Sequence, residues 1–168
     1  METRKITTGQ AKLKITLWNA EAESTSSSDL YLWLQEIGLP EEVVTRLHEM
    51  IRNTIRVGKK VVSIGKVVLI KIFEFIKAHP LLVTGVGICT VVACAIYSLT
   101  ISIPFLGQFL EPAARALGIG IVTTGAVIGH ILDKQFTGVG DNIVEVAGEF
   151  FQLLTDVFSA VAHEVAFT

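Results

Sequence analysis

Between Leu81 and Leu110 the chain carries no Asp, Glu, Lys or Arg. No other feature constrains the fold as strongly, because about 20 apolar residues suffice to cross the hydrocarbon core of a bilayer as a helix. Leu81 to Leu99 meets that requirement. The stretch Ile103-Pro104-Phe105-Leu106-Gly107 reads as a turn, and Glu111-Pro112 restarts a helix with proline in its first turn. Ala113 to Leu132 is then a second apolar span, with Arg115 near one end and His130 near the other, both placed to snorkel to headgroups. The run predicts an all-α integral membrane protein with a two-helix transmembrane hairpin over residues 80–135.

Small residues recur along both spans. Gly85, Cys89 and Ala93 lie four apart, as do Ala116, Gly120 and Thr124, and Gly125 is followed four residues on by Gly129. Residues of this size let helix backbones approach closely, so these eight positions are the expected helix-packing contacts and point to a homo-oligomer. Basic residues crowd the first span's N-terminal flank, which places both termini of a multi-pass protein on the cytosolic side. Cys89 and Cys94 lie inside the apolar run, excluding a disulfide framework and reading as small packing residues. The first residues, Met1 to Lys5, lead into mixed polar sequence, so no cleavable secretory signal is expected.

The flanks are ordinary in charge but opposite in sign. Residues 1–79 hold twelve Lys/Arg against nine Asp/Glu, and residues 80–168 hold two against seven. In segment 1–28, residues 11–18 alternate, with Lys12 and Lys14 on one side and Leu13, Ile15 and Leu17 on the other. Period two predicts a short N-terminal β-strand, or else a disordered tail. Asn19 to Ser28 is Ser- and Glu-rich and reads as a linker.

In segment 29–79, Ser28 or Asp29 caps a short helix from Leu30 to Ile37, Gly38 ends it, and Pro40 opens the next. The fragment Trp33-Leu34-Gln35-Glu36-Ile37-Gly38-Leu39 is similar to the opening of sterile-alpha-motif domains, over that one helix and without the rest of the five-helix pattern. From Pro40 a single helix is expected to reach His79. Arg52, Arg56, Lys59 and Lys66 recur on it at near-helical spacing, and with Lys71 and Lys77 they form a basic stripe suited to anionic lipid.

In segment 136–168, Asp141 caps a helix expected to run to about Phe167. Its polar residues, Asn142, Glu145, Glu149, Gln152, Asp156, Ser159 and His163, are spaced alternately by three and four. Such a stripe belongs either to an amphipathic helix packing its apolar face or to a pore lined by Glu145, Glu149, Gln152 and Asp156.

Catalytic signatures are missing from the sequence. There is no Walker loop, dinucleotide fingerprint, H-E-x-x-H or nucleophile elbow, and Ser63-Ile64-Gly65-Lys66 matches S-x-x-K without its partner motifs. The four histidines do not pair at ligand spacing, so no metal, cofactor or catalytic residue is expected. The basic residues are interleaved with aliphatics rather than base-stacking aromatics, which argues against nucleic acid. The organisation loosely resembles compact helical pore-formers. The leading expectation is a small oligomeric membrane protein that forms a pore or perturbs a bilayer. Its rivals are a membrane-anchored scaffold or assembly factor recruiting a protein partner on the cytosolic side, and a bundle that hides the hairpin until triggered.

Overall fold

The computed structural model describes residues 6–117 and 140–167. They are mostly helical, with a small three-stranded sheet. In chain order the elements are α1 (Thr8–Ser24), α2 (Ser27–Glu36), α3 (Glu41–Glu49), a 3-10 turn (Met50–Arg52), β1 (Ile55–Val57), β2 (Lys60–Val62), α4 (Ile64–Ala78), α5 (Pro80–Val86), α6 (Ile88–Ser102), a second 3-10 turn (Pro104–Leu106) and α7 (Gly107–Ala116). After residue 139 come α8 (Gly140–Phe150), α9 (Gln152–Val161), a third 3-10 turn (Ala162–Glu164) and β3 (Val165–Phe167). The sheet order is β2-β1-β3, with both pairings antiparallel; Ile55 lies opposite Val62 on one side and Phe167 on the other.

Among the described residues no helix is long and apolar enough to cross a membrane. This overturns the expected transmembrane hairpin, the multi-pass location with both termini on the cytosolic side, and the pore-forming reading built on them. The uncharged run is cut twice. Gly87, at φ +94°, separates the seven-residue α5 from α6, and Ile103-Pro104 ends α6. The 15 residues of α6 reach only about 22 Å at 1.5 Å per residue, short of the roughly 30 Å hydrocarbon core. Every residue from Thr90 to Ile96 is buried, so nearly two turns have no solvent-facing side. A helix apolar all round belongs in a bilayer or in a protein core, and α6 lies in a core, packed chiefly on α8. Its buried Thr90 and Ser98 conform to the rule that buried polar groups are hydrogen-bonded, for no buried side-chain nitrogen or oxygen among the described residues lacks a partner. Of the expected second span, Ala113 to Ala116 close α7, and residues 118–132 lie outside the described residues.

The expected N-terminal strand is the helix α1. Thr7 and Gln10 form a capping box: the Thr7 hydroxyl accepts from the Gln10 N–H and the Gln10 side chain accepts from the Thr7 N–H, both at 3.1 Å. The alternation misleads because two of its three apolar residues face water, Leu13 at 61% exposure and Leu17 at 57%. The buried positions are Ala11, Ile15, Asn19 and Ala22, spaced four, four and three, which is a helical face. The helix also takes up the first half of the expected linker.

α2 begins three residues earlier than expected, at Ser27 rather than Leu30, with Ser26 accepting from the Asp29 N–H, and Gly38 past its end adopts φ +86°. The expected helix from Pro40 to His79 is broken by a hairpin. Ile55-Arg56-Val57 and Lys60-Val61-Val62 are β-rich triplets around Gly58-Lys59. Gly58 has φ +62° and, among the described residues, no non-glycine residue has positive φ, the pattern of a type II′ turn with glycine first. The expected C-terminal helix is also divided, at Phe151, and gives way to β3. The amphipathic reading of this segment describes its packing. Ile143, Ala147, Phe151, Leu154, Val157, Phe158 and Val161 are buried, while Glu145, Glu149, Gln152 and Asp156 are exposed. α9 lies along α1, and Phe75 of α4 meets Phe150 and Phe151 at ring distances of 5.3 and 5.4 Å.

Candidate functional site

α1, the β-hairpin and the third 3-10 turn meet around a cleft of about 590 Å³, within the usual range for small-ligand sites. Buried Ile15 and Val57 supply its apolar floor, and Lys12, Thr16, Gly58, Lys59, Lys60 and Glu164 its polar wall. Lys12 and Thr16 are one turn apart, so they share a face of α1. The Thr16 hydroxyl donates to the Lys12 carbonyl at 2.9 Å. The tight turn at Gly58 projects Lys59 and Lys60 at the cleft mouth. The Gly58 N–H donates to the Glu164 carbonyl at 3.1 Å, which holds the third 3-10 turn against the hairpin. Glu164 thereby reaches Lys12, its Oε1 accepting from Nζ at 2.8 Å, while His163 Nε2 lies 3.7 Å from its other oxygen.

Three lysines line this cleft against one glutamate. Among the described residues no ion pair engages Lys59 or Lys60. A second cleft of similar volume between α3 and α7 differs in charge balance. Its Arg46 pairs with Glu49 at 3.3 Å and its Arg115 with Glu111, each within its own helix, and Glu42 adds a further acid.

The residues expected to contact anionic lipid do not share one stripe, since the helix that would align them is interrupted. Only Lys59 lines the basic cleft. Arg52 is exposed on the first 3-10 turn and Arg56 at the centre of β1. The half-buried Lys66 donates to the Thr25 carbonyl at 3.0 Å. Lys71 pairs with Glu74 at 3.2 Å and sits 4.8 Å above the Trp18 ring, and Lys77 sits 5.2 Å above Trp33. Of the expected helix-packing positions, Ala93 is buried, Cys89 and Ala116 are half-buried, and Gly85 is exposed with no atom within 4 Å of where a Cβ would be. Gly120, Thr124, Gly125 and Gly129 lie outside the described residues. Glu145, Glu149, Gln152 and Asp156 lie on the outer face of α8 and α9, where Gln152 donates to Asp156 at 2.8 Å.

Burial pushes the Cys94 thiol up to about 11. Among the described residues no three His, Cys, Asp or Glu side chains group to hold a metal. Lys12, Thr16, Lys60 and Glu164 were not expected at a site. Lys12 and Glu164 lie at opposite ends of the chain, and they meet because α9 packs along α1 and β3 pairs with β1. The one local signal was Gly58-Lys59 between β-branched residues, which marks a hairpin carrying two lysines at its tip. No protein-family model matches the chain, and no curated protein or solved structure matches it.

Proposed function

We propose that the protein is a binding module, a helical scaffold or assembly factor that recruits a protein partner by seating an acidic group of that partner in the basic cleft. The observation that carries this reading is the surplus of positive charge around a concave site: Lys12, Lys59 and Lys60 against Glu164 alone. Glu164 is itself a carboxylate on Lys12 and so marks the kind of group the cleft accepts. The role is one of binding rather than catalysis, and it involves no cofactor. The exposed Leu13 and Leu17 lie on the outer side of α1, about a quarter turn round from Lys12 and Thr16. They offer apolar contact to residues beside the acidic group.

The test is a titration of the isotope-labelled protein with a short polyglutamate peptide, followed by the backbone amide spectrum. Amides of Thr16, Gly58, Lys59 and Lys60 should shift together. The shifts should vanish in Lys59→Gln with Lys60→Gln. They should weaken sharply near 1 M salt, where the Debye length is about 3 Å. Shifts confined to other surfaces, or unchanged in the double variant, would overturn the reading. Association of two copies through the exposed Glu145, Glu149 and Asp156 is the homo-oligomeric form of the same chemistry. It would appear as sedimentation that depends on concentration and salt.

A further inference from the structure

We infer that the acidic group taken by the cleft is a phosphoryl monoester, carried on a phosphorylated side chain of the partner; this rests on the reading of the cleft as an acid-binding site. Charge balance is the first argument. With Glu164 in place, the three lysines leave a surplus of two positive charges. A carboxylate neutralises one of them, whereas a phosphoryl monoester carries about −1.5 to −2 near pH 7.

The donor set is the second argument. Lys12 comes from α1 and Lys59 and Lys60 from the hairpin, so their flexible side chains can address separate oxygens of a tetrahedral group, and charge-assisted bonds of this type are the strong ones. The Thr16 hydroxyl, now turned to the Lys12 carbonyl, can rotate to add a neutral donor. The floor is apolar and the cleft concave, so a single protruding group fits better than a flat anionic surface. Leu13 and Leu17 beside it suit the aliphatic neighbours that a peptide supplies.

Glu164 is the built-in competitor. Its carboxylate accepts from Lys12 at 2.8 Å, and its carbonyl is tied to Gly58. An incoming phosphoryl group therefore competes with the Glu164 side chain for Lys12 while the backbone tie stays. The charged groups at the site are Lys12 from α1, Lys59 and Lys60 from the hairpin, and Glu164 with its neighbour His163 from the third 3-10 turn.

The experiment compares three peptides of one sequence, carrying phosphoserine, glutamate or serine at one position between leucines, by fluorescence anisotropy on the full chain. The phosphoserine form should bind about tenfold or more tightly than the glutamate form at pH 7.5, because it offers nearly twice the charge. This preference should fade toward pH 5, since the second phosphate proton binds near pH 6. The series is repeated in His163→Gln, which removes the imidazole 3.7 Å from Glu164, and the fading should persist there because it belongs to the phosphate. Lys59→Gln with Lys60→Gln should lose about tenfold or more, and Glu164→Gln, which removes the competitor, should bind a few-fold more tightly. Circular dichroism on each variant verifies that it is folded. Equal binding of the glutamate and phosphoserine peptides would overturn the phosphoryl assignment and leave the acid-binding reading standing. Binding to phosphatidylcholine vesicles containing phosphatidic acid, with no binding of the phosphopeptide, would also overturn it. If neither peptide nor the polyglutamate probe binds, both readings fail.

Discussion

Helix α6 and the corner where α1 meets the hairpin share one hydrophobic core, yet they are held in different ways. From Thr90 to Ile96 the helix is buried around its whole circumference, and its neighbours are aliphatic and aromatic side chains, each replaceable by another of like volume. The corner depends on single residues. Gly65 brings α4 so near the first 3-10 turn that a Cβ there would lie 1.6 Å from the Met50 carbonyl oxygen. The buried Asn19 joins α1 to the hairpin, accepting from the Ser63 N–H at 2.8 Å and donating to the Val61 carbonyl at 3.4 Å. Apolar burial tolerates exchange because the hydrophobic effect is non-directional. Hydrogen bonds and close backbone approaches are directional and do not. The corner that positions the cleft is therefore specified by few residues.

The largest expected effect is on the apolar side. Phe75 is fully buried and its ring meets Phe150, Phe151 and His79. Phe75→Ala should cost about 3–5 kcal/mol in urea unfolding, whereas a volume-conserving Ile96→Leu should cost less than about 1.5 kcal/mol. If both proved equally costly, replaceability would not distinguish this region.

Next comes Gly65→Ala, expected to cost about 3 kcal/mol, at the upper end for overpacking because the clash is with backbone rather than a flexible side chain. A neutral result would remove close approach as the reason for glycine. Asn19→Ala should cost about 2 kcal/mol by leaving the Ser63 N–H unpaired. Amide exchange should reveal faster opening of β2 than of α6, and uniform change across the molecule would contradict the local role.

The smallest effect concerns the cysteines. Cys94 is buried with its thiol raised to about 11, while Cys89 is half-buried. Alkylation of the native protein at pH 8 should label Cys89 well before Cys94. Because the folded-state value lies above the ordinary thiol value of 9.0, the neutral thiol favours the fold. That contribution is full below pH 9 and is lost as pH rises through about 11. Equal labelling rates would mean that this part of α6 opens easily.

Helical content was legible along much of the chain, and some local signals were read correctly. Glu41 and Glu42 do open a helix, Gly38 does end one, and the three-four spacing of Glu145, Glu149, Gln152 and Asp156 does mark an exposed face. Other signals misled for identifiable reasons. Lys12 to Leu17 alternates like a strand because Leu13 and Leu17 remain exposed on a helix. The spacing from Arg52 to Lys66 fits a helix, yet Gly58 between β-branched triplets makes a hairpin that interrupts it. The cleft was hidden because Lys12, the hairpin lysines and Glu164 come from three distant parts of the chain.

By itself, the sequence determined which residues are apolar and with what period, and hence that the chain is predominantly helical with an uncharged centre. Only the tertiary structure decided where that centre goes. Transfer into lipid and transfer into a protein core remove the same apolar surface from water, so composition cannot separate the two. The break at Gly87, the end at Ile103-Pro104 and the cover provided by α8 and α4 separate them here, by making α6 too short to cross a bilayer and by enclosing it. The same holds for the basic cleft. Lys12, Lys60 and Glu164 have no relation in sequence, and they become neighbours because β3 pairs with β1 and carries Glu164 to the turn at Gly58.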